Sequence, residues 1–374
     1  MKIVRSSKCS LKFSTTAKLD KLKLLLVEYS TVVNFFIDKF WDTTPSKAQL
    51  LKQIVNLPTT WLSARLRKVA AREAIDLILS SKNKENEKAR TFKPRHYGKS
   101  MSVSSTIANL QTSKTNGFDC WLHIASVGDG IILDLPIKMH KHFLGLKAKG
   151  RRLESFVIKP DCIQFCFEIE TGAKKTEGKV IGVDTGINAL ATTSEGCQYG
   201  MDVKWLVEKI KRKEHGSNTQ QRTRRALRQR MDEVAKQVVA GDVKLVVVED
   251  LKKMNHRTKV RRSLTKNMRR SLGAWAYRYW LNRIQMATED NRVALRRVNP
   301  AYTSQRCNAC GHTERGNRNG EMFLCQKCGH TDNADINAAK NIEFRWTSGP
   351  YGVASKPEKC VDKIFCPVGK IFQV

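Results

Sequence analysis

The 374-residue chain carries 68 lysines and arginines against 35 acids, a formal charge of +33 and a pI near 9.9. That length allows two or three domains with cores of their own, and the basic excess runs along most of the chain, a field that attracts polyanions, nucleic acid first among them. A membrane span is excluded by the most apolar stretch, LLLVEYSTVVNFFIDKF, which carries Glu28 and Asp38 inside 17 residues and is too short and too charged.

The opening MKIVRSSKCSLKFSTT has no continuous apolar run and no small-residue cleavage site, so the expectation is a cytoplasmic protein, not a secreted one. Residues 2–13 alternate loosely and predict a first strand. Leu22, Leu25, Tyr29, Val33, Phe36 and Phe40 then recur at helical steps, the mark of one buried stripe. A second helix is expected over 59–82, its polar face carrying Arg65, Arg67, Lys68 and Arg72 as a solvated surface or a track for phosphates. Residues 82–100 read as a charged loop. From about residue 101 the period changes to two, with strand-like runs at 102–109, 118–126 and 130–139 and strict alternation of Ile163, Phe165, Phe167 and Ile169. An antiparallel sheet or small barrel with one face buried is expected. The turn-rich EIETGAKKTEGK marks the main domain boundary.

The second half opens with KVIGVDTGINALATTSEG, where Val180 and Gly182 share a strand face with Asp184. In KLVVVED, Leu245, Val247 and Glu249 share another, while Asp250 falls on the opposite side. An acid ending a buried strand is costly without compensation. A third acid lies in ADINAAKNI: as a helix, this puts Asp335, Ala338, Ala339 and Ile342 on one stripe and turns the carboxylate inward. The competing reading is a capping box, with Asp332 as cap and Asp335 in its third position. Grouped carboxylates repel one another unless cations hold them. Oxygen-rich sites suit Mg²⁺ or Mn²⁺, and two such ions roughly 3.5–4 Å apart serve phosphodiester hydrolysis.

Cys307-x2-Cys310, fourteen residues, then Cys325-x2-Cys328 is a tetrathiolate zinc pattern, each pair followed by a glycine suited to a tight knuckle. Four thiolates close the coordination sphere, so this Zn²⁺ is structural; the same ligands can hold iron. The remaining seven of eleven cysteines are expected to be free thiols, mostly buried, and His312 and His330 are surplus to the ligand set. Between the second and third acids, HRTKVRRSLTKNMRR holds seven basic residues and no acid, among them Arg257, Lys259, Arg261, Arg262, Arg269 and Arg270. It is a solvated loop or a strand-holding surface, with binding favoured. Trp275, Tyr277, Tyr279 and Trp280 are expected to pack a helix on the sheet.

With GVDTGINALATT, VVVEDL and YTSQRCNACG through CQKCGHTDNADINAAKNI in that order, the chain resembles the TnpB family, transposon-encoded RNA-guided nucleases related to type V CRISPR effectors. The resemblance implies a multidomain α+β and α/β protein. Its wedge-type β-barrel (1–15 and 96–175) would carry a helical recognition lobe (16–95). An RNase H-like RuvC nuclease domain (176–302) would be interrupted by a zinc ribbon (303–332) and closed by a last helix (333–346), with a tail over 347–374. It further implies Asp184, Glu249 and Asp335 as catalytic acids holding two Mg²⁺, a guide RNA and target DNA as partners, and target choice by base pairing beside a short protein-read motif. Two rivals stand beside RNA-guided cleavage: an RNA-guided repressor that does not cut, and a guide-independent nuclease or transposase of the same fold.

Overall fold

The computed structural model describes residues 1–82, 92–112, 117–251, 265, 270–271 and 273–348. Contacts divide the chain into two units that meet at Glu170 and Thr171.

The first unit runs β1 (Lys2–Ser10), α1 (Thr16–Phe40), α2 (Lys52–Val55), α3 (Ala64–Lys82), β2 (Met101–Val103), β3 (Ala108–Thr112), β4 (Cys120–Ile124), β5 (Leu133–Ile137), α4 (Lys141–Lys149), β6 (Arg151–Ile158) and β7 (Cys162–Glu170). Its strands form two antiparallel sheets, β1-β7-β6-β2 and β3-β4-β5. The apolar stripe of α1 is buried along its whole length and shares a core with Leu66, Ala70, Ala74 and Ile78 of α3. Helix α3 starts five residues later than the periodicity predicts. Leu62 pairs with Gly128, and the Ser63 hydroxyl accepts the Leu66 N–H at 3.3 Å, so the lead-in is held extended up to that cap. The expected strand over 102–109 is split. The Ser104 carbonyl accepts the N–H groups of Ile107 and Ala108 at 3.0 and 3.1 Å, and this turn separates β2 from β3. Strand β7 departs from the one-face expectation as well, because Cys162, Gln164 and Cys166 are buried alongside the alternating apolar set; it lies between β1 and β6, covered on both sides.

The second unit runs β8 (Lys179–Asp184), β9 (Ala191–Thr193), β10 (Gln198–Tyr199), α5 (Val203–Lys211), α6 (Asn218–Val238), β11 (Val243–Glu249), α7 (Tyr277–Asp290), β12 (Ala294–Val298), β13 (Arg318–Asn319), β14 (Met322–Leu324), β15 (Thr331–Asn333) and α8 (Ala334–Thr347). Five strands make a mixed sheet in the order β10-β9-β8-β11-β12, in which β8, β11 and β12 are parallel and β9 and β10 antiparallel. On one face Ile181, Val183, Val246 and Val248 pack against α5, α6 and α7. Trp275, Tyr277 and Trp280 are buried in that layer, as expected, and the Tyr279 hydroxyl donates to Asp232 at 2.8 Å. On the other face Val180, Leu245, Val247 and Val298 meet Ile342 of α8, each such side chain contributing roughly 1.5–3 kcal/mol on burial.

Gly182 sets how closely α8 lies on β8. A Cβ there would stand 2.6 Å from the Glu343 nitrogen, and closer still to the Ala339 carbonyl oxygen. Only glycine admits the helix backbone at that distance. The strands β13-β14-β15 form a separate small antiparallel sheet that feeds α8.

Candidate active site

The three acids reach one side of the sheet by different routes. Val183 on β8 pairs in parallel register with Val248 on β11, so Asp184 and Glu249 follow at adjacent strand ends and project to the α8 side, like Gly182 and Val247 before them. The carboxyl ends of parallel strands are where open sheets of this kind place ligands. Asp335 arrives in the first turn of α8, and with Ala338, Ala339 and Ile342 it is buried along the predicted stripe.

The cap of α8 is one residue later than expected. Asn333, not Asp332, receives the N–H groups of Asp335 and Ile336, at 2.9 and 3.2 Å. The ladder between β14 and β15 pairs Asp332 with Phe323 and Asn333 with Met322, so Asp332 is still strand. Its carboxylate takes the Asn333 N–H and the Lys340 ammonium, each at 2.8 Å. Asp335 therefore stands at the second helical position, not in a capping box.

Burial, then the like charges of Glu249 and Asp335, raise the Asp184 carboxyl from 3.8 to about 7, against the pull of Arg318 and the Thr185 N–H. Burial also raises Glu249, opposed by the Thr303 hydroxyl that donates to Oε1 and by Arg345 and Arg318. Arg318, from β13, donates to Asp335 Oδ1 at 2.8 Å. Such a set of oxygens, with buried Asp184 made harder to ionise by the other two, fits a divalent cation, which removes the repulsion that folding creates. The oxygens are spread more widely than a single tight ligand cluster. Among the described residues, only the four cysteines form a group whose ligand atoms all lie within 4.8 Å.

In that cysteine group, Cys307 and Cys328 are 3.8 Å apart and Cys310 and Cys325 3.6 Å, sulfur to sulfur. Zn–S bonds of about 2.3 Å in a tetrahedron require S···S edges of about 3.8 Å, so the spacing is compatible with a structural zinc. Two matching knuckles build it. Gly311 N–H donates to the Cys307 carbonyl at 2.9 Å and Gly329 N–H to that of Cys325 at 3.0 Å, with both glycines at positive φ, +77° and +70°. Desolvation resists ionisation of Cys325, yet the Cys328 and Lys327 N–H groups prevail and bring its thiol down to about 6. His312 and His330 stay outside the ligand set; His312 Nε2 lies 3.0 Å from Glu314.

Two buried asparagines of α8 tie this module to the carboxylates. Asn337 receives the Asn308 N–H at 3.0 Å and donates to the Arg306 carbonyl at 2.9 Å. Asn341 donates to the carbonyls of Thr303 and Arg306, at 3.0 and 2.6 Å, and accepts from the Arg306 guanidinium at 2.7 Å. The segment so fixed carries Thr303, which holds Glu249. Sequence reading assigned no role to Thr303, Asn337 or Asn341; two asparagines one turn apart in an apolar helix were the available signal. Arg318 is the partner of Asp335.

Of the basic run, Arg257, Lys259, Arg261, Arg262 and Arg269 lie outside the described residues, and Arg270 is exposed. Cys9, Cys120, Cys162 and Cys166 are buried thiols as expected; Cys197 is exposed, and Cys360 and Cys366 lie outside the described residues. Among the described residues no helix is long and apolar enough to cross a membrane.

Residues 277–342 match the family model of the Cas12f1-like TNB domain. The chain is 42% identical over 74 residues to the CRISPR-associated endodeoxyribonuclease Cas12f1 of Sulfoacidibacillus thermotolerans, covering 20% of this chain and 18% of that protein. It is 28% identical over 227 residues to InsQ of Escherichia coli strain K12, which carries the name of an RNA-guided DNA endonuclease, covering 51% and 56%. With the TnpB-like protein of Aquifex aeolicus the identity is 32% over 111 residues, 29% of this chain and 35% of that one. The chain thus spans about half or less of the curated relatives it matches. Two solved structures share its fold: a Cas12f1–sgRNA–target DNA complex (TM-score 0.52, 14% identity, 91% of this chain and 84% of that one) and a mini RNA-guided endonuclease, CRISPR-Cas_phi3 (TM-score 0.56, 10% identity, 92% of each). The resemblance to the TnpB family therefore holds: this is a mixed α/β multidomain chain similar in sequence to TnpB-like proteins and Cas12f1, and in fold to Cas12f-type structures.

Proposed function

We propose that the protein is an RNA-guided DNA endonuclease whose RuvC-type site comprises Asp184, Glu249 and Asp335. The observation that carries the proposal is the convergence of these acids from β8, β11 and α8, with Asp184 raised to about 7 by burial and by the other two. The strand order β10-β9-β8-β11-β12, with an acid ending each of the two central strands, supports an RNase H-like assignment for 176–302 and 333–346. Antiparallel β1, β2, β6 and β7 around α1 and α3 support the wedge and recognition-lobe reading of 1–175. The zinc ribbon is 303–332.

Mg²⁺ or Mn²⁺ held by the three carboxylates would supply activation of a water and stabilisation of the leaving oxygen. The chain's own groups set up that chemistry. Thr303 orients Glu249 through its hydroxyl, and Arg318 holds Asp335 and offsets the negative charge around it. Asn337 ties α8 to the zinc module at Asn308, and Asn341 fixes the Thr303 backbone. The guide RNA supplies sequence by pairing with the target strand, while the protein reads a short flanking motif.

The test is Asp184→Ala or Glu249→Ala, assayed for RNA-guided cleavage and, separately, for RNA and target binding. Cleavage is expected to vanish while binding persists. Retained cutting removes these acids from the mechanism. Undiminished cutting by wild type stripped of RNA favours a guide-independent nuclease.

A further inference from the structure

Trp205 occupies a position that packing does not explain. Helix α5 is sharply two-sided: Val203, Leu206, Val207 and Ile210 are buried, yet Trp205 is 61% exposed on the opposite side. An indole is among the largest apolar surfaces a chain possesses, and Trp is highly buried on average, so leaving one in water forgoes a large gain. One turn further on, Lys209 Nζ lies 4.4 Å from the centre of its ring.

The surroundings are strongly electropositive. A depression of about 330 Å³ beside the indole is lined by Trp205, Glu208, Lys209, Arg212 and Lys213. Its one acid, Glu208, is engaged by the Lys211 ammonium at 2.7 Å. From Val203 to Arg230 the chain carries ten lysines and arginines against two acids, Glu208 and Glu214. A second depression, of about 250 Å³, lies at the start of α6. It is lined by Asn218, Gln221, Arg222 and Arg225, a set at i, i+3, i+4 and i+7 that shares one helical face, offers donors and contains no acid.

A flat aromatic face ringed by cations matches a polyanion that also carries flat apolar rings. That combination is a nucleic acid with an unpaired base. We propose that Trp205 is the stacking platform for an unpaired RNA base, with Lys209, Arg212 and Lys213 holding the adjacent phosphates. The choice of RNA rests on the RNA-guided reading above and on chemistry. Bases in a DNA duplex are already stacked on one another, whereas folded RNA presents loops and ends whose bases are free to leave the stack.

The experiment uses the full chain with Trp205→Ala and Trp205→Phe. The probes are a fluorescein-labelled, unstructured pyrimidine RNA oligonucleotide, single-stranded DNA of the same sequence, and a DNA duplex. Trp205→Ala is expected to weaken RNA binding by roughly 5- to 150-fold and duplex binding by less than about 2-fold, with Trp205→Phe between wild type and Trp205→Ala on RNA. RNA is expected to quench wild-type indole emission more than that of Trp205→Phe, a readout independent of folding losses. RNA affinity of Trp205→Ala equal to that of a binding wild type overturns the proposal. A loss on single-stranded DNA as large as that on RNA overturns the RNA assignment. A concentration-dependent dimer abolished by Trp205→Ala, with RNA binding intact, assigns the face to a second copy of the chain and also overturns it. Wild type that binds no RNA brings down the RNA-guided reading as well. Guided cleavage by wild type together with an unaffected Trp205→Ala removes this inference alone.

Discussion

Folding brings Asp184 against Glu249 and Asp335 at a cost that a single isosteric substitution, Asp184→Asn, relieves. Its carboxyl ordinarily titrates at 3.8 and is raised to about 7 in the folded chain. Because the folded state then binds the proton more tightly than the unfolded one, this group's favourable contribution is fully present below pH 3.8. It is lost as pH rises through about 7. Three pKa units at about 1.36 kcal/mol each give an upper bound of ~4 kcal/mol of destabilisation above pH 7. Asparagine keeps the shape and cannot ionise. In magnesium-free buffer with zinc retained, Asp184→Asn should melt higher than wild type at pH 8, by up to roughly 8–16 °C for a unit of this size, and the gap should close toward pH 4. Added Mg²⁺ should raise the wild-type midpoint above pH 7 and leave the variant nearly unmoved, since a cation stabilises only the state that binds it. Differential scanning calorimetry across pH measures both. A variant no more stable than wild type at pH 8, or a gap that does not depend on pH, refutes the account of mutually repelling buried acids.

Two further outcomes are expected. Gly182→Ala inserts a Cβ against the backbone of α8 at Ala339 and Glu343, so the helix must lift from β8, at about 3 kcal/mol or more. A lowered melting midpoint with lost cleavage, Asp335 moving with its helix, is the predicted pair; an unchanged midpoint contradicts the close approach. Cys325→Ser should abolish the one equivalent of zinc released from wild type by a mercurial reagent and should reduce cleavage, because Thr303 and Arg318 are positioned by that module. Full activity in a zinc-free variant would separate the ribbon from the site.

Sequence by itself settled what depends on near neighbours along the chain. The α1 stripe, the acids ending β8 and β11, and the two cysteine knuckles each follow from periods of two or about four residues, or from short spacing, and the same helical period offered the inward turn of Asp335 beside a capping box. Their physical cause is local, so pattern suffices. Boundaries were less legible where a distant partner competes with propensity. Leu62 is held by Gly128, β2 and β3 are separated by a turn at Ser104, and the cap of α8 falls on Asn333, the last residue of β15, while the Asp332 carboxylate is taken by Lys340. Only the tertiary structure decided which groups tune the acids. Thr303 reaches Glu249 across 54 residues, Arg318 reaches Asp335 across 17, and Asn341 reaches Thr303 across 38. No periodicity encodes such pairings. They exist because Gly182 lets α8 settle onto β8, carrying the zinc module's anchor to the ends of the two strands where the carboxylates meet.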